Sequence, residues 1–357
     1  MRLRNAVAIS VASLGTVAFA QDYSLPGPYP AGTRTVTVTR PNATTFTARL
    51  SYPAQAAGAN QPYSQIAPAG AILSFGHGFV QTTGSYASTL DHLASWGFIV
   101  IASDSEGGLA PNHQNFANDL RTCVSWLEQQ QVTPGSFLLG KVDVRRVGLS
   151  GHSMGAGASI LAGASGDSRI DVIANMAAAN TNPSSIAASA SVRVPMFLVS
   201  GSSDTIVPVG SNGQLMYNNA AGPAQLPIIT GGYHCGFQDS SFPIGCDSSS
   251  LPRATQLSLT RRLLTECFVY HLTRDPAERR QLFSKVWGDQ NTIAGVTTVR
   301  RPCAVDVNSD EVLSSEDLYS WFASPTDVTC DSTTDESDAR MVTTLLREHE
   351  RDHLLRE

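Results

Sequence analysis

From residue 71 onward the chain alternates short, unbroken apolar runs with stretches of helical period. Residues 71–75, 98–103, 146–149, 196–200 and 226–230 read as strands without polar alternation, the pattern of strands buried on both faces. Residues 85–96, 114–131, 155–163 and 257–273 carry the helical pattern between or after them. This predicts an α/β domain, a mostly parallel central sheet covered by helices on both faces. Upstream, residues 35–39 and 45–52 alternate polar and apolar and read as an antiparallel pair. A Pro- and Gly-rich lead-in (21–36) precedes them and a polar loop (54–70) follows.

The first twenty residues depart from this pattern. Arg2 and Arg4, an apolar run over 6–17 and Ala18-Phe19-Ala20 read as a secretory signal peptide with its cleavage site. That run is too short and too rich in small residues for a transmembrane helix. The expected organisation is signal peptide 1–20, catalytic domain 21–291, linker 292–302 and an acidic module 303–357. Charge marks the last boundary. Residues 303–357 hold 14 acidic side chains and four arginines, a net −10, whereas 21–302 hold 16 acids and 18 bases. The near-neutral body has no basic stripe, which excludes a nucleic-acid partner and suits an uncharged substrate.

Candidate chemistry gathers at strand ends. Gly151-His-Ser-Met-Gly155 lies where a strand turns sharply into a helix, and its glycines leave room for that turn. Ser153 would stand at the tip as nucleophile, with the Met154 N–H facing an oxyanion. Asp204 follows the strand 196–200 and His234 follows 226–230, giving Ser, Asp, His in the chain order of this architecture. His234 would move the serine proton and Asp204 would hold the imidazole. Asp167 and Asp171 compete for the acid role but follow a helix. The glycine-rich turn Ser74-Phe-Gly-His-Gly-Phe79 offers the Phe79 N–H as a second oxyanion donor, with His77 a local turn residue. Phe79, His152 and Tyr233 are the candidate substrate contacts.

The chain resembles the secreted cutinase-like polyester hydrolases, PET hydrolases among them, and the related chlorophyllase and dienelactone-hydrolase branches of the α/β-hydrolase superfamily. The likeness rests on Gly78-Phe79, Leu93-Ala-Ser-Trp-Gly-Phe-Ile-Val-Ile101, the serine pentapeptide, Val194-Pro-Met-Phe, Ser203-Asp-Thr-Ile-Val-Pro208 and Gly231-Gly-Tyr-His-Cys235. It spans roughly residues 30–290 and implies an α/β-hydrolase fold, the triad Ser153, Asp204 and His234, ester substrates and no catalytic cofactor. Two positions depart from the family pattern. Ala179-Asn-Thr-Asn-Pro183 stands where a substrate-clamping tryptophan is usual, and Ala156 replaces a glycine.

Six cysteines in an exported chain suggest disulfides. Cys235 and Cys246 bracket a ten-residue loop after His234 and are expected to pair; Cys303 and Cys330 make a second pair in the tail. Cys123 and Cys267 lie in apolar helical patterns, as buried thiols or as a bridge. The resemblance puts their helices on opposite faces of the sheet, which argues against the bridge. In the tail, Asp306, Asn308, Asp310 and Asp317 match positions 1, 3, 5 and 12 of a calcium loop, and the spacing recurs twenty-one residues on. The pair looks like a dockerin-type module with structural calcium and a protein partner. The sequence thus reads as a secreted, cutinase-like serine esterase. The alternatives are a lipid or small-ester hydrolase of platelet-activating-factor-acetylhydrolase or chlorophyllase type, and a non-catalytic binding protein acting through its tail.

Overall fold

A computed structural model of the chain describes residues 21–241, 245–273, 282, 286–287, 293–301, 307–308, 314–326, 328, 334 and 336–354. Its apolar runs become strands because each is buried on both sides. The described strands are β1 (Ala31–Thr39), β2 (Thr45–Pro53), β3 (Gly58–Ala59), β4 (Gly70–Gly76), β5 (Ile99–Ser103), β6 (Val142–His152), β7 (Ile170–Met176), β8 (Met196–Gly201), β9 (Ala224–Ile229) and β10 (Val296–Arg301). They form one sheet in the order β10-β9-β8-β7-β6-β4-β5-β2-β1-β3. β4 to β9 run parallel to their neighbours, and β2 and β10 pair antiparallel on either side of them. β4 is followed in the sheet by β5 on one side and β6 on the other. The crossovers therefore part at the carboxyl ends of β4 and β6, where such sheets bind ligands.

Helices cover both faces: α1 (Ala87–Ser95), α2 (His113–Val132), α3 (Met154–Gly163), α4 (Ser185–Ser189), α5 (Gly213–Asn219) and α6 (Arg253–Leu272). Successive residues of a strand point to opposite faces, so Leu73 and Phe75 pack with Phe268 of α6. Ile72, Ile99 and Ile101 pack instead with Val124 and Leu127 of α2. Cys123 lies in that second layer and Cys267 in the first, and both are buried free thiols.

Two elements differ from expectation. β7 escaped the apolar reading because Asp171 and Asn175 interrupt it. Both are satisfied in place: Asp171 accepts the Val147 N–H at 2.8 Å, and Asn175 bonds Ser159 and the Ala156 carbonyl. The stretch expected to be a linker carries the edge strand β10, whose Val296 and Val299 face Ile229 and Leu226 across an antiparallel ladder.

Beyond β10, α7 (Ser315–Ala323) and α8 (Glu336–Leu354) form the described part of the tail. Trp321, Val328 and Val342 join the buried cluster that includes Val296 and Leu264. Asp317, in a capping box with Ser314, accepts N–H bonds from Val307 and Ser314. Asp338 accepts one from Val328, so the twenty-one-residue repeat recurs in the bonding. Asn308 gives its N–H to Asp317 at 3.4 Å. Asp306, Asp310, Cys303, Cys330 and the signal segment 1–20 lie outside the described residues. Among the described residues no group of three or more His, Cys, Asp or Glu is arranged to hold a metal ion. Nor is any helix long and apolar enough to cross a membrane.

Candidate active site

β6 ends at His152 and α3 begins at Met154, leaving one residue for the turn. Ser153 makes it with φ 54° and ψ −118°, a conformation that L-residues rarely hold. The surroundings enforce it. The Ser153 N–H donates to the Met176 carbonyl at 3.0 Å, and its own carbonyl accepts from Gly157 and Ala179, each at 3.1 Å. The turn also brings α3 against β4: a Cβ on Gly155 would stand 2.2 Å from the Gly76 backbone, and one on Gly151 2.4 Å from that of Gly155. Ala156, where the resemblance expects glycine, is fully buried.

The end of β8 delivers Asp204 and the end of β9 delivers His234. Asp204 Oδ2 accepts from His234 Nδ1 at 2.8 Å, while Oδ1 accepts the N–H groups of Ile206 (2.9 Å) and Val207 (2.7 Å). The carboxylate is thus held on both sides, and it fixes the imidazole with Nε2 turned away from it. Asp167 and Asp171 are engaged elsewhere, the first with Arg121 and Arg169, the second within β7.

On the opposite bank runs the turn after β4, closed by a bond from the Gln81 N–H to the Gly78 carbonyl at 3.1 Å. His77 is buried and its ring nitrogens face the carbonyls of Gly78 (2.8 Å) and Ser105 (2.9 Å), joining this turn to the end of β5. Tyr86 holds the turn from the other side. Its hydroxyl accepts the Gly78 N–H at 3.0 Å and a weaker contact from Gln238 Nε2 at 3.4 Å, so its proton goes to His152 Nδ1 at 2.8 Å. Burial, and then the neighbouring His234, push the His152 pKa well below its usual 6.5. His152 therefore stays neutral, its ring centroid 4.5 Å from that of His234.

These banks enclose a cleft of about 470 Å³, with Ser153, His152 and His234 lining it beside Phe79, Leu109 and Ile206. Phe79 is 50% exposed and Leu109 82%, which makes an apolar rim. The Cys235–Cys246 disulfide, as expected, lines the cleft near His234. Tyr233 differs from expectation. It is 7% exposed and is not among the residues that line the cleft, and both its backbone groups are bonded to the Gln256 amide. His152 reaches the cleft only as a buried ring. The loop 179–183 presents polar groups: the Asn180 N–H bonds Asn212 Oδ1, and the Asn182 carbonyl faces His113.

Sequence reasoning passed over Tyr86, Leu109 and Asp247. None sits in a motif, and only Leu109, in the glycine-rich Glu106-Gly-Gly-Leu-Ala-Pro111 loop after β5, carried a local signal.

No curated protein matches the chain. Residues 18–247 match the PETase family, described as PET hydrolase-like. That span contains the serine elbow, the Asp204–His234 pair and the turn that bears Phe79. The chain accordingly belongs to the PET hydrolase-like family of ester hydrolases, on an α/β-hydrolase fold.

Proposed function

We propose that the protein is a secreted serine esterase of cutinase type, acting on uncharged esters with an apolar or aromatic acyl part. The observation that carries this reading is the strained Ser153 sharing an apolar cleft with a histidine already bonded to a buried carboxylate. His234 Nε2 takes the Ser153 proton as Oγ attacks the ester carbonyl carbon. The developing oxyanion is met by the Met154 N–H, free in the first turn of α3, and by the Phe79 N–H on the facing turn. Collapse expels the alcohol, which takes the proton from His234. Water, deprotonated by the same nitrogen, then frees the acid and restores Ser153. Asp204 stabilises the imidazolium in both halves of the cycle. The chemistry as written needs no metal or cofactor.

Polymeric esters are the proposed substrate class because the rim is apolar and open, so that Phe79 and Leu109 can lie against a solid surface. Export through the signal segment 1–20 fits the disulfide, which an oxidising compartment preserves. The test is hydrolysis of p-nitrophenyl esters from acetate to palmitate, and of amorphous PET film, by wild type and Ser153→Ala. Activity that falls to near background in the variant supports the reading. An optimum at short acyl chains with product released from film supports the polyesterase, whereas an optimum at long chains without it makes the enzyme a lipase. Equal inertness of both proteins sinks the esterase altogether.

A further inference from the structure

We infer that Asp247 is a positioning residue for the reaction, fastening the acid loop and the histidine loop to each other through their backbones. The inference rests on the esterase reading above. The two loops leave different strands, β8 and β9. Close to the sheet they are joined by the Ser203 N–H to the Gly232 carbonyl (2.8 Å) and the Gly231 N–H to Ser202 Oγ (2.8 Å). Past those bonds both chains run out toward the cleft, and there Asp247 spans them. Its Oδ2 accepts the His234 N–H at 2.9 Å and the Thr205 N–H at 3.2 Å, while Oδ1 accepts the Cys235 N–H at 3.0 Å.

The bonded residues are telling. Thr205 follows the acid Asp204, and His234 is the base itself. Two carboxylates therefore link the loops at the reacting end: Asp204 by its side chain to the imidazole, Asp247 by its side chain to the main chains that carry both. Asp247 is kept in place by its own neighbour, since Cys246 is bonded covalently to Cys235, the third residue that it ties. A carboxylate is the group this task requires. It offers two acceptor oxygens and no donor, and charge shortens and strengthens N–H···O bonds. An asparagine keeps one acceptor and turns a donor toward an N–H. Loss of the tie frees the imidazole to move relative to Ser153, and a displacement of about 1 Å in such a group costs roughly 10²-fold in rate.

The experiment measures kcat and KM on p-nitrophenyl butyrate for the full-length wild type, Asp247→Asn, Asp247→Ala and Ser153→Ala, well below each melting temperature. Active sites are counted by titration with a fluorophosphonate, and its rate of reaction with Ser153 is recorded separately. The expected result for Asp247→Ala is a fall in kcat per titrated site of about 10- to 100-fold, with a matching fall in phosphonylation rate. KM should change by less than about twofold, and Asp247→Asn should fall between wild type and alanine. A merely structural role would lower the number of titratable sites or the melting temperature while leaving kcat per site unchanged; that result overturns the inference. If the alanine variant does not fold, the asparagine variant decides alone, and wild-type kcat per site in it is the refuting outcome. A wild type that neither turns over ester nor takes the label removes the esterase reading, and the inference with it. Active wild type with unaffected Asp247 variants removes the inference alone.

Discussion

At the scale of single residues, the site is built from groups held in their less comfortable states. Ser153 keeps a strained backbone because three hydrogen bonds and two close glycines leave no alternative. His152 is kept neutral by burial. His92, at the other end of α1 from Tyr86, is likewise buried, and its pKa falls from 6.5 to about 4, through burial first and then the Arg261 charge. A histidine with a depressed folded-state pKa takes up its proton first in the unfolded chain. Its contribution to stability is thus intact above about pH 6.5 and is lost as pH falls toward 4, at up to ~1.4 kcal/mol per pH unit. Thermal melts of wild type should decline over that window. His92→Gln, which keeps a donor for the Tyr23 carbonyl, should flatten the decline while leaving the pH 8 melt within a few degrees. An equal slope in both proteins would show that other groups, His152 among them, carry the acid sensitivity.

At the scale of elements, the turn after β4 depends on a helix far from it in sequence. Tyr86 stands just before α1, and its one hydroxyl serves both the Gly78 N–H and His152 Nδ1 in a fully buried position. Tyr86→Phe leaves both partners unsatisfied, a loss of about 1–3 kcal/mol for each buried group. It should lower the melting temperature and, by loosening the turn that bears the Phe79 N–H, reduce kcat about tenfold on any ester, with little change in acyl-length preference. A kcat that stays at the wild-type level would show that the turn is held without the phenol.

The same elements show what sequence could tell. The gathering of Ser153, Asp204 and His234 at one end of the sheet was legible because each lies within a few residues of a strand's end, so local pattern and position coincide. β7 was not, because the bonds that let Asp171 and Asn175 live in a buried strand come from β6 and α3. Tyr86 and Asp247 act across hydrogen bonds that span 8 to 152 and 12 to 42 positions, and no short window of sequence contains them all. Tyr233 stands beside His234 in sequence, but its burial is set by Gln256, which bonds both its backbone groups from twenty-three positions away.

At the scale of the whole molecule, the boundary between body and tail matters most. The charge step at residue 303 suggested a detachable module on a linker, yet β10 occupies that linker and closes the β9 edge of the sheet. Trp321, Val328 and Val342 of the tail belong to the same buried cluster as Val296 and Leu264. The described part of the tail is thus continuous with the body in its packing, although none of its described residues lines the cleft. Two truncations separate these contributions. A chain ended at Arg301 keeps β10, should lose several degrees of melting temperature, and should retain ester hydrolysis per titrated site. A chain ended at Asn291 also loses Ile293, Val296 and the ladder to β9. Each such buried side chain is worth about 1.5–3 kcal/mol and each kilocalorie about 2–4 °C, so it should melt roughly 6–24 °C lower than the first truncation. With an apolar edge strand exposed, it should also aggregate on heating where the longer chain does not. Equal melting of the two truncated chains would mean that β10 only decorates the sheet, and the domain would then end before it, at the expected boundary of residue 291.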